Sequence, residues 1–519
     1  MTSIASDRNV LSAAKGGIFL AGGSFFEFAS RFVIALLLAR TLGVMDYGLY
    51  VLSIGVAGIF TGIGLLGMDD AMVRYVAIMS GRRDRAGLWG TLQIALGVSA
   101  FAALIVGGVL FLGARPIAEG LFNEPRLTPL LHILAVVVPF LMVSNLLAGT
   151  ARGFTRMDYA AFAENVVQSL VRMALLAILA FAGNLDVYAA AVIFGISDVA
   201  ATLTLIVLLN RTFPLKSPFH QDARRDVREV FEFALPLWLS GLLRQFRRNI
   251  EVVLLGALSA ASGVGIYAIV NKVNLVGHVF LLSILVAVKP LLAQLHDRGD
   301  REGLSHVYTT ATRWTLTLNM PFFLIMVLYP EAILSVFGGA FIAGATALIV
   351  LAFAELANAG TGICGPMIDM TGHTKVKLAN SVLWTAFLIG GSAVLIPRWG
   401  VLGAATASLI AISVVNILCV VEVWFFERLI PFDRSIWKPL AAGVGSFISG
   451  AVLRRWMPVG TDIGPAALQG AIVSSIYVGM ILLFKLAPEE RLVIHRLLTK
   501  TILFIRRVHV PRAAARRAG

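Results

Sequence analysis

Four charged residues lie close together in an otherwise apolar segment, and they are Arg244, Arg247, Arg248 and Glu251 in LLRQFRRNIEVVLL. At about 100° per residue, their directions on a helix fall within about 100° of one another. The spacing therefore predicts one charged stripe on an apolar rod. Glu251 follows two of the arginines at i+3 and i+4 and can neutralise one of them, which leaves about two positive charges.

Such an excess of guanidinium groups favours an anionic ligand, because the planar fork of an arginine can donate two hydrogen bonds to phosphate oxygens. A charged side chain at bilayer depth also needs an aqueous cavity or a partner. The stripe therefore predicts a cavity that binds a phosphate-bearing substrate. Two other interpretations stay open: salt bridges that hold helices together, and an interfacial helix that never crosses the membrane.

Further charged residues fall inside predicted spans, beginning with Glu27 and Arg31 at i and i+4. We expect six cations to face the substrate: Arg31, Arg172, Arg244, Arg247, Arg248 and Lys272. We expect four carboxylates to be charge partners or sites for a coupling ion: Glu27, Asp198, Glu251 and Glu355.

The composition requires a membrane environment for these residues. Of 519 residues 58% are hydrophobic and only 14% are charged, and the mean hydropathy is +0.86. One crossing needs about 20 mostly apolar residues, so the chain can supply about fourteen. Helices rather than a barrel are indicated by span length and by the lack of a two-residue alternation. The predicted spans are 16–39, 48–68, 88–112, 128–151, 160–182, 187–209, 230–258, 264–288, 305–329, 341–363, 376–397, 400–426, 435–456 and 463–487.

Lysine and arginine are distributed unevenly between the two sides that these spans define. The side of the N-terminus holds 30 of them and the opposite side holds 6. Positive residues stay in the cytoplasm, so the sequence predicts an even number of spans with both termini cytoplasmic. The net charge of +14 is thus explained by topology, and nucleic acid is not an expected partner.

The sequence also contains an internal repeat. A shift of 217 residues places YGLYVLS on VGIYAIV, pairing Gly48 with Gly265 and Tyr50 with Tyr267, and it also places Arg31 on Arg248. We expect two six-helix lobes in parallel orientation, followed by two extra helices. The predicted divisions are a cytoplasmic N-terminus 1–15, an N-lobe 16–209, an amphipathic cytoplasmic linker 210–229, a C-lobe 230–426, helices 13 and 14 in 427–487, and a basic amphipathic cytoplasmic tail 488–519.

The sequence contains no convincing catalytic motif that would indicate an enzyme. GIGLLG fits a dinucleotide pattern, but it lies in a predicted membrane helix and follows no strand, so small-residue packing explains it better. The sequence contains no P-loop, HExxH or GxSxG motif, and the predicted outer loops are too short for a catalytic domain. We expect a transporter rather than an enzyme, with no cofactor, no metal and no catalytic residue.

Three segments resemble polysaccharide flippases, the O-antigen and exopolysaccharide family of the multidrug, oligosaccharidyl-lipid and polysaccharide exporter superfamily. The segments are ARTLGVMDYGLYVLSIGVAGIF, KPLLAQLHDRGDREGL and FGGAFIAGATALIVLAFAELANAGTGICGPMIDMTGHTK. The resemblance covers about residues 14–426. It implies an all-α fold of two six-helix lobes around a central cavity, alternating access, and cationic cavity residues.

The resemblance also implies a substrate: an undecaprenyl-diphosphate-linked oligosaccharide, turned from the cytoplasmic to the periplasmic leaflet of a bacterial inner membrane for surface polysaccharide synthesis. Expected partners are this lipid-linked glycan, membrane lipids, a polysaccharide polymerase and glycosyltransferases, with the flippase itself a monomer. Coupling to H⁺ or Na⁺ stays open. Two rival functions remain within the superfamily: a flippase for a peptidoglycan precursor lipid and a cation-coupled multidrug exporter.

Overall fold

The chain is almost entirely helical in the part described by the computed structural model, and that part contains no strand. It comprises residues 2–213 and 227–484, without the side chains of residues 2–25, 27, 227, 229, 240, 279, 280, 282, 283, 286 and 287. The helices are α1 Thr2–Gly64, α2 Met68–Arg82, α3 Arg85–Arg115, α4 Leu127–Gly153, α5 Met157–Ala161, α6 Gln168–Phe181, α7 Val187–Thr212, α8 Val227–Leu258, α9 Ala261–Asp297, α10 Arg301–Leu328, α11 Pro330–Ser335, α12 Ala345–Thr361, α13 Cys364–Met370, α14 Thr374–Trp399, α15 Val401–Glu427, α16 Trp437–Trp456 and α17 Ile463–Leu483.

Ten helical segments within the described residues are long and apolar enough to cross a membrane, so the chain is a multi-pass membrane protein. Each of the fourteen predicted spans falls on a helix. The first two share α1, which Gly43 divides into two arms through its non-helical backbone (φ 74°, ψ 179°), a conformation that glycine adopts without steric cost. Three more predicted spans, on α8, α9 and α16, are not among the ten candidate segments. The count of fourteen crossings therefore stays a prediction.

The predicted divisions at the chain ends and at the linker are described only in part. Helix α1 begins at Thr2 and so includes the backbone of the predicted N-terminal segment 1–15. Residues 214–226 of the predicted linker and the whole predicted tail 488–519 lie outside the described residues. The end of the linker forms the first turn of α8, where Val230 is buried in an apolar cluster with residues of α2 and α3.

The described helices form two compact units. Among the described residues, unit 1 comprises 2–213, 227–275, 333–351 and 381–412, and unit 2 comprises 276–332, 352–380 and 413–484. The six-helix lobes of the repeat are a different division of the chain and stay a prediction.

In unit 1, the second arm of α1 lies antiparallel to α8. The indole of Trp238 donates to the carbonyl oxygens of Gly62 and Ile63, and the Gln245 amide donates to that of Gly58. Helix α8 therefore runs beside the second arm of α1 over several turns.

The repeat-related glycines Gly48 and Gly265 meet where α1 crosses α9. A Cβ on Gly48 would collide with the carbonyl oxygen of Ala261, and one on Gly265 would collide with that of Val44. Small residues permit this close approach of two backbones. The crossing lies near Gly43.

In unit 2, the two last helices pack on α10. Gly443 and Gly450 face Met320 and Leu328, and the Tyr477 hydroxyl donates to the Thr317 carbonyl oxygen at 3.2 Å. The buried guanidinium of Arg313 donates to Asp433 and to Ser435 in the segment before α16. Arg313, which the sequence placed within a span, thus anchors the connection between α15 and α16.

Candidate functional site

A cavity of about 870 Å³ in unit 1 gathers most of the charged residues that the sequence singled out. Its walls come from α1, α2, α4, α6, α7, α8 and α9, from the turn near Gly67 and from the π-helical segment Phe162–Val167. The charged residues of its lining are Arg31, Asp69, Asp70, Arg152, Glu164, Arg172, Asp198, Arg244, Arg248 and Lys272. Six cations thus face four carboxylates.

Five of these residues form a layer that we name the cationic tier: Arg31, Arg172, Asp198, Arg248 and Lys272. Each lies 9 to 12 residues along its helix from a helix end or break, at Gly43, Phe181, Val187, Leu258 or Ala261. At about 1.5 Å per residue this is about 14–18 Å, close to the middle of a hydrocarbon layer of about 30 Å. The tier holds four cations and one carboxylate.

Contacts within the tier orient two of its cations. The Arg172 Nε donates to Ser197 Oγ at 3.0 Å, and its guanidinium carbon lies 4.4 Å from the centre of the Phe194 ring. The Lys272 Nζ donates to the Arg31 carbonyl oxygen at 3.3 Å. The charges of Arg31 and Arg172 both act on Lys272, so like charges are held together here, as they are in sites for anions.

Asp198 supplies the negative charge of the tier. It is 3% exposed, and its Oδ1 accepts a hydrogen bond from Gln168 at 3.1 Å. Its Oδ2 has no hydrogen-bond partner among the described residues. Within the tier itself, one carboxylate thus faces four cations.

The other five charged residues form a mixed tier farther from Gly43: Asp69, Asp70, Arg152, Glu164 and Arg244. Arg244 Nη2 donates to Asp70 Oδ2 at 3.1 Å, and Arg152 Nη2 donates to Glu164 Oε2 at 3.3 Å. Burial, together with the neighbouring Asp70 carboxylate, raises the pKa of Asp69. This tier has three carboxylates and two cations, so its charges are largely compensated.

Two members of the predicted stripe point away from the cavity, which corrects the prediction that all four share one wet face. The Arg247 guanidinium stacks on Trp384 at 4.5 Å from the ring centre. Glu251 accepts hydrogen bonds from Tyr267 at 2.9 Å and from Ser408 at 2.8 Å. The charges of Glu251 and Arg247, four residues apart, also act on each other, and the Glu251 carboxylate in addition contacts hydroxyl groups of α9 and α15.

The remaining predicted residues have other surroundings. Glu355 lies in unit 2, where it contacts His278. The side chain of Glu27 lies outside the described residues. Three carboxylates and one cation of the lining were missed from the sequence: Asp69, Asp70, Glu164 and Arg152. The pair Asp69–Asp70 directly after a predicted span was a usable signal, whereas Arg152 looked like ordinary loop charge.

Uncharged polar groups complete the lining. Five amide side chains face the cavity: Asn145, Asn165, Gln168, Gln245 and Asn249, and Trp238 adds an aromatic surface. Each amide offers both hydrogen-bond donors and an acceptor, which suits hydroxyl-rich ligands. No group of three or more His, Cys, Asp and Glu residues suited to a metal ion occurs within residues 2–213 and 227–484.

A second cavity of about 350 Å³ shares Arg31 and Lys272 with the first. Its other walls are Phe28, Phe32, Ala268, Asn271 and Leu275 on α1 and α9. An apolar, partly aromatic recess thus adjoins the cationic tier, with two cations at the junction.

A comparison with known protein families identifies the family of this chain. Residues 13–296, more than half of the chain, match the family described as polysaccharide biosynthesis protein. The chain belongs to this family. Residues 236–389 also match the MatE family, and the resemblance to polysaccharide flippases of the exporter superfamily is thereby confirmed.

Two curated relatives align with most of this chain. Stage V sporulation protein B of Bacillus subtilis (strain 168) is 23% identical over 510 residues, which cover 92% of this chain and 96% of that protein. The probable flippase AglR of Haloferax volcanii is 21% identical over 451 residues, covering 83% and 87%.

Solved structures show the same fold. The lipid II flippase MurJ in an inward closed conformation is similar with a TM-score of 0.71 and 13% identity, covering 90% of this chain and 98% of that chain. An inward-facing transporter of the multidrug resistance MATE family is similar with a TM-score of 0.63 and 17% identity, covering 76% and 94%.

Proposed function

We propose that the protein is a flippase that moves a polyprenyl-diphosphate-linked oligosaccharide from the cytoplasmic to the periplasmic leaflet, for synthesis of cell-surface polysaccharide. The observation that carries the proposal is the cationic tier, where Arg31, Arg172, Arg248 and Lys272 surround one cavity near mid-membrane depth. Relatives named as flippases support it.

The cationic tier suits a diphosphate. Arginine donates in a planar fork that matches phosphate oxygens, and lysine adds a mobile point charge. Arg172 is already oriented by Ser197 and Phe194, so little side-chain freedom is lost when a ligand binds. A diphosphate bridge would neutralise much of the excess charge of the tier.

The rest of the substrate fits the rest of the lining. The five amide side chains can exchange hydrogen bonds with sugar hydroxyls, and Trp238 offers a face for a pyranose ring. The apolar recess between α1 and α9 can hold the start of the polyprenyl tail. Its junction at Arg31 and Lys272 would keep the phosphates at the border between the aqueous cavity and lipid.

Transport then requires no covalent chemistry. We infer fourteen crossings with both termini in the cytoplasm of a bacterium, and rocking of two lobes that exposes the cavity to each leaflet in turn. A glycosyltransferase would supply the lipid-linked glycan, and a polymerase would consume it outside. The chain would act as a monomer.

The two rival functions differ in how they fit the cavity. A peptidoglycan precursor lipid carries the same diphosphate and would use the same tier. A multidrug exporter of cations would face four like charges in the cationic tier, which disfavours it. Competition between a surface-glycan lipid and a peptidoglycan precursor lipid distinguishes the proposed function from the peptidoglycan function.

The test is translocation in proteoliposomes. A fluorescent sugar on a short polyprenyl diphosphate is inserted in both leaflets, and a membrane-impermeant reductant quenches the outer leaflet only. We expect wild type to make nearly all of the probe accessible, and Arg172→Gln combined with Arg248→Gln to leave the inner half protected. Arg115→Gln, an exposed arginine paired with Glu119, is the control. Equal translocation by all three proteins would refute the role of the tier.

A further inference from the structure

Unit 2 contains a pair of thiols that the proposed transport mechanism does not use. Cys364 on α13 and Cys419 on α15 are the only two cysteines of the chain. They are 3% and 4% exposed, and neither is part of a disulfide. The Cys364 S–H donates a hydrogen bond to the Cys419 sulfur, so two thiols from distant parts of the sequence are in direct contact.

The turn between α12 and α13 holds Cys364 in this position. Gly362 in this turn has a left-handed backbone (φ 69°), and a Cβ there would collide with the Thr312 side chain. Glycine meets both requirements, because it adopts positive φ without steric cost and has no side chain. The turn therefore fixes Cys364 next to α15.

Polar groups around the Cys419 sulfur suit a nucleophilic thiol. The Asn380 Nδ2 donates to this sulfur at 3.3 Å and also donates to the Glu422 carboxylate. The positive charge of Lys377 acts on Cys419, against the negative charge of Glu422. The thiolate is the nucleophilic form of cysteine, and donors and cations beside a sulfur stabilise it. Cys419, which also accepts from Cys364, is therefore the attacking sulfur of the pair.

Two buried polar atoms beside the thiols lack a partner. Asn380 Oδ1 belongs to the amide that contacts the Cys419 sulfur, and it accepts no hydrogen bond within the described part of the chain. The fully buried Tyr308 hydroxyl likewise has no partner among the described residues, and both sulfurs act on it electrostatically. An acceptor and a hydroxyl donor of this kind suit a small molecule that both donates and accepts hydrogen bonds, as a peroxide does.

Burial restricts which oxidants reach the pair. The Lys377–Asp369 ion pair, whose side chains are 35% and 29% exposed, leads toward solvent. The Lys377 Nζ lies 3.1 Å from the point where a Cβ on Gly365 would stand, directly after Cys364 in the chain. A small neutral peroxide can pass along this edge, whereas a tripeptide disulfide is too bulky.

We propose that Cys364 and Cys419 form a redox-sensing dithiol that hydrogen peroxide oxidises to a disulfide. The Cys419 thiolate attacks one peroxide oxygen and the O–O bond breaks. This leaves a sulfenic acid on Cys419 and a hydroxide, which takes up the thiol proton and becomes water. Cys364 then attacks the Cys419 sulfur, so that the S–S bond forms, the S–O bond breaks and the leaving hydroxide takes the Cys364 proton as a second water. The two thiols lose two electrons, and these reduce the peroxide to water.

A disulfide would restrain the carrier at one end. It joins α13 to α15, and in the proposed topology both cysteines lie toward the cytoplasm. Helix ends on that side have to move when the cavity opens and closes, so we expect the disulfide to slow translocation and cytoplasmic thiol reductants to reverse it. This consequence rests on the proposed function, whereas oxidation of the dithiol does not.

The dithiol is tested by counting free thiols. Purified wild type is treated with hydrogen peroxide, unfolded in denaturant with N-ethylmaleimide, and weighed by mass spectrometry, so that burial hides no thiol. We expect two labels before treatment, none after it, and two again after dithiothreitol. Glutathione disulfide in place of peroxide should leave both labels. Two labels after peroxide, labels that dithiothreitol does not restore, a disulfide between two chains, or equal oxidation by glutathione disulfide would each overturn the proposal.

Single variants test the order of the steps. With dimedone present, peroxide should leave a trapped sulfenic acid in Cys364→Ser and little in Cys419→Ser, and the reverse pattern would overturn the assignment of the attacking sulfur. Lys377→Gln should be oxidised more slowly than wild type. Lys375→Gln, which removes the same charge from an exposed position on the same helix, is the matched control, and equal rates for both lysine variants would overturn the role of Lys377.

The effect on transport is measured with the fluorescent lipid in proteoliposomes. An impermeant antibody against the fluorophore reads the outer leaflet here, because a reductant would reopen the disulfide. We expect peroxide to slow translocation by wild type, dithiothreitol to restore it, and Cys364→Ser combined with Cys419→Ser to be unaffected. Unchanged transport by disulfide-bonded wild type, or equal slowing of the double variant, would overturn the switch. Reduced wild type that moves no probe would instead refute the proposed function, and the thiol count would still test the dithiol.

Discussion

Arg172 offers the sharpest test of the cationic tier, because its guanidinium is half-buried and held by Ser197 and Phe194. Arg172→Gln removes a charge-assisted hydrogen bond to phosphate, worth about 1.5–3 kcal/mol. At about 1.4 kcal/mol per factor of ten, the affinity for a diphosphate should fall about 10- to 100-fold. Arg172→Lys keeps the charge but loses the planar fork of hydrogen-bond donors. Its affinity for a diphosphate should therefore fall less than that of Arg172→Gln.

The assay is calorimetric titration of farnesyl diphosphate into protein held in nanodiscs. Farnesol, which lacks the phosphates, measures the contribution of the tail, and its affinity should be the same for all variants. Arg115→Gln, exposed at the end of α3, controls for loss of one positive charge. Unfolding temperatures exclude a folding defect. If Arg172→Gln binds farnesyl diphosphate as tightly as wild type and is equally stable, the tier does not bind phosphate.

Three further outcomes follow from the same geometry. Arg247→Gln should change diphosphate affinity less than about twofold in that titration, because this side chain lies outside the cavity lining, and exposed charges contribute little at a distance. A double-mutant cycle of Arg244→Gln and Asp70→Asn should show a coupling of about 0.2–1 kcal/mol in unfolding free energy, as expected of a half-exposed pair. Gly48→Ala should lower the unfolding temperature, since overpacking costs about 1–3 kcal/mol, whereas Gly108→Ala, whose Cβ would meet nothing within 4 Å, should not.

Charged positions inside apolar segments could be recognised from the sequence, but which of these side chains point into the cavity could not. On α8 the directions of Arg244 and Arg248 differ by about 40°, and Arg247 and Glu251 lie beyond them on one side. The polar lining continues on the other side through Gln245 and Asn249. The cavity therefore divides the predicted stripe, and only the position of the neighbouring helices determines where this division falls.

The mixed tier was harder to predict because its members come from segment ends. Arg152 precedes the last residue of α4, and Asp70 belongs to the first turn of α2. In a positive-inside count such residues are loop charges, and their convergence depends on long-range packing. The internal repeat gave more information, since Arg31 and Arg248, which it relates, line the same cavity.

The charge of the cationic tier bears on the transport cycle that we propose. Four cations and one carboxylate at mid-membrane depth are costly whenever water is excluded, so an empty cavity resists the occluded conformation that alternating access requires. A bound diphosphate compensates much of this charge, and occlusion then becomes easier with substrate than without it. The same carrier needs help to return empty. The bound substrate itself would therefore assist the outward step of the proposed cycle.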